Sequence, residues 1–301
     1  MSEYAALTID VELFSQTPAY RAASGSTDRA GIGLDGLAFL KDSLEDANAT
    51  TTCFVVSEIA ETHPETVRSL SVAGHEIGSH TYTHRLLTDL EPGERYEELV
   101  RSKETLEATT GTTVEGFRAP AFDFGPDHFH ALAAAGYGYD ASVVASRTIP
   151  GFYGGEYRLQ HPAPATHIDP TAPDSITAIP TSVMPGFRLP LTGFWLRLFG
   201  VRYTILGMKL LARRGIAPVL YVHPWEFVDL PDVEGVPRRV TFRTGVWMRR
   251  AVERILDQPF AFRSLRRILA DADIRTGSMT PTDSEETDLD DRSTIPDSEA
   301  Q

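Results

Sequence analysis

The ten residues His75–His84 read HEIGSHTYTH, and the rest of the chain is best read outward from them. EIGSH has the look of a short strand that runs into a turn, with His80 and His84 four residues apart. If the segment after His80 is helical, that spacing puts both imidazoles on one face. Two neutral imidazoles aimed at one point suit a borderline divalent ion such as zinc, which needs at least one further ligand. An H-x3-H pair alone can equally be two unrelated, satisfied polar residues. Candidate third ligands stand early in the chain, where LTIDVE places Asp10 and Glu12 one residue apart.

Outward from this stretch, strand and helix patterns alternate. Residues 4–13 read as a buried strand ending in acids, 33–49 as a helix, and 50–56 as a second strand. A helix from Pro64 to Gly74 precedes EIGSH, the third strand, and a longer helix from Glu91 to Gly111 follows it. VEGFRAP (114–120) reads as strand four, PDHFHALAAAG (126–136) as a helix, and YGYDASVV (137–144) as strand five. Residues 147–175, rich in Pro, Gly and Thr, carry few periodic cues. SITAIPTSV reads as strand six, 194–215 as a long apolar helix or helix pair, and IAPVLYVHPWEF as strand seven. TGVWMRRAVERILDQ and a closing strand-plus-helix, FAFRSLRRILADA, complete the pattern. Seven strands alternating with helices predict a parallel α/β architecture. The chemical residues Asp10, Glu12, His80, Arg118 and His223 fall at strand C-terminal ends, the reactive end of α/β barrels.

With 301 residues, 42% of them hydrophobic, the chain can bury a full core. Its formal net charge is -14, and Lys41, Lys103 and Lys209 are its three lysines. Acid excess with scarce lysine resembles salt-adapted, haloarchaeal composition, because high salt screens the self-repulsion of an acidic surface. The same balance predicts no nucleic-acid partner, since phosphates would be repelled. No apolar run approaches the length of a membrane span, and the N-terminus passes straight into a strand. The expectation is a cytoplasmic protein, with peripheral membrane contact through 194–215 left open beside the simpler reading of a barrel helix buried on one face. The single cysteine, Cys53, lies in a β-rich run and reads as a small buried apolar residue. Residues 276–301 are acidic and almost without large apolar side chains, and are expected to be a disordered tail behind a catalytic domain of residues 1–275.

Four motifs stand in order: TIDVE (8–12), HEIGSHTYTH (75–84), FRAPAF (117–122) and YVHPWEF (221–227). As a set they resemble the polysaccharide deacetylases, the NodB-homology group of carbohydrate esterases. DVE in place of the usual DDG, with RAPAF and HPWEF, looks like an intracellular branch of that group. The resemblance implies an α/β fold, a distorted barrel of seven or eight β/α units, and one divalent ion, Zn2+ by expectation. It implies His80 and His84 as metal ligands, Asp10 as general base, Arg118 as the partner that orients Asp10, and His223 as the acid that protonates the leaving nitrogen. Val11 stands where the family commonly has an aspartate ligand, so Glu12, on the same side of the strand as Asp10, is the expected third ligand. Phe122 and Trp225 are the expected substrate-binding aromatics, each also readable as a plain core or rim residue. A backbone N–H near Ala121 or Phe122 would meet the oxyanion. The family's further Asp-Trp motif, whose acid tunes the histidine, is not found, and Glu226 is the available substitute. The substrate implied is an N-acetylhexosamine in a glycan or lipid-linked sugar. A related amidohydrolase of small amides and a non-catalytic carbohydrate-binding protein are the alternatives.

Overall fold

Strand β1 (Tyr4–Val11) is the axis of the sheet, and all but its first residue are buried. A run buried on both faces is what a central parallel strand requires, and YAALTIDV supplies it with apolar and β-branched residues. The structure, a computed structural model, describes residues 3–23 and 31–277. The other strands are β2 (Thr52–Val55), β3 (Glu76–Ser79), β4 (Gly116–Phe117), β5 (Tyr139–Asp140), β6 (Ala163–Pro164), β7 (Thr177–Ala178), β8 (Val219–Val222) and β9 (Ala261–Phe262). They lie in the order β6-β7-β5-β4-β3-β2-β1-β8, with β9 also against β1. Every ladder is parallel except β6 with β7. The sheet curls: just past β7, the Ser182 N–H donates to the Val219 carbonyl of β8, the opposite end of that order. This is the mixed α/β, curled half-barrel form of the expected architecture.

Helices cover the sheet as the apolar periodicity predicts. Leu34–Asp46, Pro64–Val72, Pro92–Thr110 and Val246–Leu256 each bury one face and expose the other. The 194–215 stretch is a helix pair, Gly193–Phe199 and Val201–Arg213, broken at Gly200, whose φ of 88° no helix continues. Cys53 is fully buried in β2, in one core cluster with Ile9, Val11 and Ile77, and burial, with the nearby Glu76, pushes its thiol well up. No helix among the described residues is long and apolar enough to cross a membrane. The expected tail, 276–301, begins inside the helix Leu265–Gly277, and from 278 onward it lies outside the described residues.

Three expectations need correction. The fourth and fifth strands are two residues each rather than seven or eight. Asp140 ends β5 by accepting from the N–H and hydroxyl of Ser142, a local turn that competes with the ladder. The segment after His80 is not helical. Glu98 takes the N–H groups of Tyr82 and Thr83, and Thr81 Oγ1 takes that of His84. Those bonds replace helical ones, and Thr81 and His84 both adopt positive φ. Finally, the loosely patterned 147–175 segment contributes the antiparallel strand β6.

Candidate active site

The chain leaves β1 at Val11, and the Glu12 N–H turns back onto the Asp10 carbonyl at 3.0 Å. That turn sends the two acids, both almost fully buried, to different partners. Asp10 Oδ1 accepts from Arg118 Nη1 at 2.5 Å. Arg118 is wholly buried, which only a well-partnered guanidinium tolerates. Its Nη1 also donates to Thr8 Oγ1 at 2.9 Å and its Nε to the Ala141 carbonyl at 3.1 Å. Arg118 therefore ties the end of β1 to β5, and its own carbonyl serves the next residue of the site.

That residue is His80, whose Nδ1 lies 2.7 Å from the Arg118 carbonyl. His84 Nδ1 lies 3.0 Å from the Gln16 carbonyl. A carbonyl can only accept, so each imidazole carries its proton on Nδ1 and presents the Nε2 lone pair to the interior. The loop thus brings the imidazoles together as a helix would, with the two rings 4.9 Å apart. Glu12 Oε2 is 2.5 Å from His84 Nε2, yet that nitrogen makes no hydrogen bond. Two electron-rich atoms so close, with no proton to share, fit a cation held between them. Donor atoms of Glu12, His80 and His84 all lie within 4.8 Å of one another. The set of two nitrogens and one carboxylate suits a catalytic divalent ion with open positions.

Electrostatics agree. Burial drives the His80 imidazole down to about 4, against the pull of Asp10, so it is neutral at physiological pH. Burial alone would raise the Glu12 carboxyl, but a positive charge at His84, and His223 beside it, outweighs burial and holds Glu12 well below the usual carboxylate range, and a cation in place of the His84 proton acts in the same direction. Burial likewise opposes charge on His223, but Glu12 and Glu226 reverse this and lift it to about 9.

His223 follows β8, with Nε2 3.6 Å from Glu12 Oε1. Glu226 Oε2 accepts from the His223 backbone N–H at 2.9 Å and sits 3.3 Å from its Nδ1. The turn Pro224–Phe227 folds the carboxylate back, and Arg197 Nε holds Glu226 Oε1 at 2.9 Å. Arg197 was not expected at the site. Its signal was a lone cation within the apolar run GFWLRLFG, which must find a partner if buried. Trp225 is placed otherwise than an open sugar platform. It is 5% exposed, its ring stacks 4.9 Å from His223, and its Nε1 donates to Glu12 Oε1 at 2.9 Å. Phe122 is half-buried and lies 5.1 Å from Tyr221, the ring that contacts His223. It lines a cleft of about 270 Å³ together with Ser142, Phe152, Tyr153 and Tyr157. The Phe122 N–H is committed to the Ala119 carbonyl.

A buried Glu-His-His triad, an arginine-paired carboxylate and a further histidine thus converge at the C-terminal ends of parallel strands. Residues 38–139 match the polysaccharide deacetylase family, and residues 142–270 match a domain of unknown function, DUF3473. Chitin deacetylase 1 of Cryptococcus neoformans is 36% identical over 95 residues, 32% of this chain and 20% of that protein. Peptidoglycan-N-acetylglucosamine deacetylase of Bacillus cereus is 25% identical over 168 residues, 49% of this chain and 61% of that protein. The chain thus spans less than two thirds of either relative. A Mycobacterium smegmatis protein described as a candidate polysaccharide deacetylase shares the fold, with a TM-score of 0.65 at 22% identity over 95% of this chain and 94% of that one. These sequence likenesses are partial, and the whole-chain likeness to the Mycobacterium smegmatis protein is one of fold. The site straddles the matched regions: His80, His84 and Arg118 come from the first, His223, Trp225 and Glu226 from the second, and Asp10 and Glu12 precede both.

Proposed function

We propose that residues 1–275 form one catalytic unit that removes the acetyl group from an N-acetylhexosamine in a glycan or lipid-linked sugar. In this reading Glu12, His80 and His84 hold a zinc ion, and the chain belongs to the intracellular DVE-type branch from a salt-adapted, haloarchaeal source. The observation that carries it is the pinning of both Nδ1 protons on backbone carbonyls, which leaves two Nε2 lone pairs and a carboxylate facing one point. When bound, such an ion supplies Lewis acidity toward a water and an amide carbonyl. Asp10 then takes the proton of the attacking water as general base. Arg118, 2.5 Å away, pairs with Asp10 and fixes its direction. His223, charged between Glu12 and Glu226, gives its proton to the sugar nitrogen as the C–N bond breaks, releasing acetate and the free amine. Arg197 and Glu226 hold His223 in place, and Trp225 orients Glu12. Phe122 meets the sugar, and the Ala121 N–H is the backbone donor for the oxyanion.

The test is acetate release from N-acetylglucosamine oligomers by zinc-loaded and chelator-treated protein, beside a panel of small amides. The expected result is acetate from the oligomers only, lost on chelation without unfolding and regained with zinc. Full activity in metal-free protein, or hydrolysis of small amides alone, overturns the reading.

A further inference from the structure

The chain's acids are not evenly distributed. Of its 42 Asp and Glu residues, none falls between Ser175 and Trp225, a stretch that carries five arginines and a lysine. The helix Val201–Arg213 runs through this stretch. It buries Thr204, Met208 and Leu211 against the fold. Its opposite face exposes Arg202, Leu206, Lys209 and Arg213, at spacings of four, three and four, so they form one stripe. Leu206 is 54% exposed, and Phe199, at the end of the preceding helix, is 47% exposed. Between Phe199 and Arg202 on one side and Trp247, Arg250 and Arg254 on the other lies a cleft of about 430 Å³. Among the described residues, no carboxylate pairs with Arg202, Lys209, Arg250 or the side chain of Arg213. On a chain of net charge -14, this face is both cationic and apolar.

We infer that this face docks the protein on an anionic lipid surface, with Phe199 and Leu206 entering the headgroup boundary and the arginines and lysine meeting lipid phosphates. Cations around an exposed leucine on one helix face, with an exposed phenylalanine at the end of the neighbouring helix, pair charge with apolar surface as a membrane interface does. Charge complementarity selects the occupant. A neutral bilayer would leave the cations without partners, and the acidic remainder of the chain is repelled from an anionic membrane, so one face only can approach. The inference is independent of the catalytic reading.

The test is co-sedimentation of the full chain with phosphatidylcholine vesicles and with vesicles containing phosphatidylglycerol, at the lowest KCl concentration that keeps a cooperative melt. The expected result is pelleting with the anionic vesicles only. Arg202→Ser and Lys209→Ser should each weaken it about five-fold, and Leu206→Asp should abolish it, with melting temperatures unchanged. Wild-type protein that stays in the supernatant with anionic vesicles overturns the inference. So does pelleting that none of the three variants reduces. Light scattering that shows these variants dissolving a dimer without changing vesicle binding would assign the face to a second copy of the chain instead.

Discussion

Asp10 and Glu12 are separated by one residue, yet they reach opposite halves of the site. Asp10 meets Arg118, and Glu12 meets His84 and Trp225. The proposed roles therefore separate under substitution. Glu12→Ala should lower zinc content and activity together. Asp10→Asn should keep the zinc and lose about 10²–10⁴ in turnover, the usual cost of a general base. Metal analysis and acetate release on both variants check this, and an Asp10→Asn protein that comes out metal-free would exchange the two assignments. At this scale the sequence was informative where chemistry is unusual: paired histidines, acids at a strand end, an arginine two residues before a proline. Arg197 and the donor role of the Trp225 N–H escaped notice because their partners lie 29 and 213 residues away, and no local pattern marks such distances.

Position 36 shows how closely the elements that carry the site are fitted. The helix Leu34–Asp46 packs on the turn Pro224–Phe227, and a Cβ on Gly36 would stand 2.0 Å from the Pro224 carbonyl oxygen. Neither backbone can yield without shifting the other, and His223 immediately precedes that turn. Gly36→Ala should therefore cost about 1–3 kcal/mol or more, and should lower activity by moving His223. A melting temperature and turnover equal to wild type would contradict this packing. β1 and β2 were legible as buried β-rich runs, and the helix Pro92–Thr110 from its acidic first turn and the Gly111 that closes it. β4 and β5 were overextended because their residues are apolar enough for strands, while side-chain bonds from Arg118 and Asp140 end the ladders early. The conformation of the His80–His84 turn could not be read for a related reason: the carboxylate that shapes it, Glu98, lies 14 residues beyond His84 on the following helix.

For the molecule as a whole, parallel α/β architecture followed from alternation of patterns, but the closure of the sheet did not, because it rests on single contacts such as that of Ser182 with Val219. The charge of -14 bears on the folded state as a unit, since compaction brings acids together and salt relieves their repulsion. Cys53 makes this measurable. It is the chain's one thiol, it has no exposed surface, and its burial disfavours the reactive thiolate. A thiol reagent can reach it only when β2 parts from its neighbours, so labelling proceeds at the pace of opening rather than of chemistry. The protein thus contains its own clock, requiring no added probe. That clock should slow as KCl is raised toward molar concentrations, and a labelling rate indifferent to salt would show that the acidic surface leaves the opening of the core untouched.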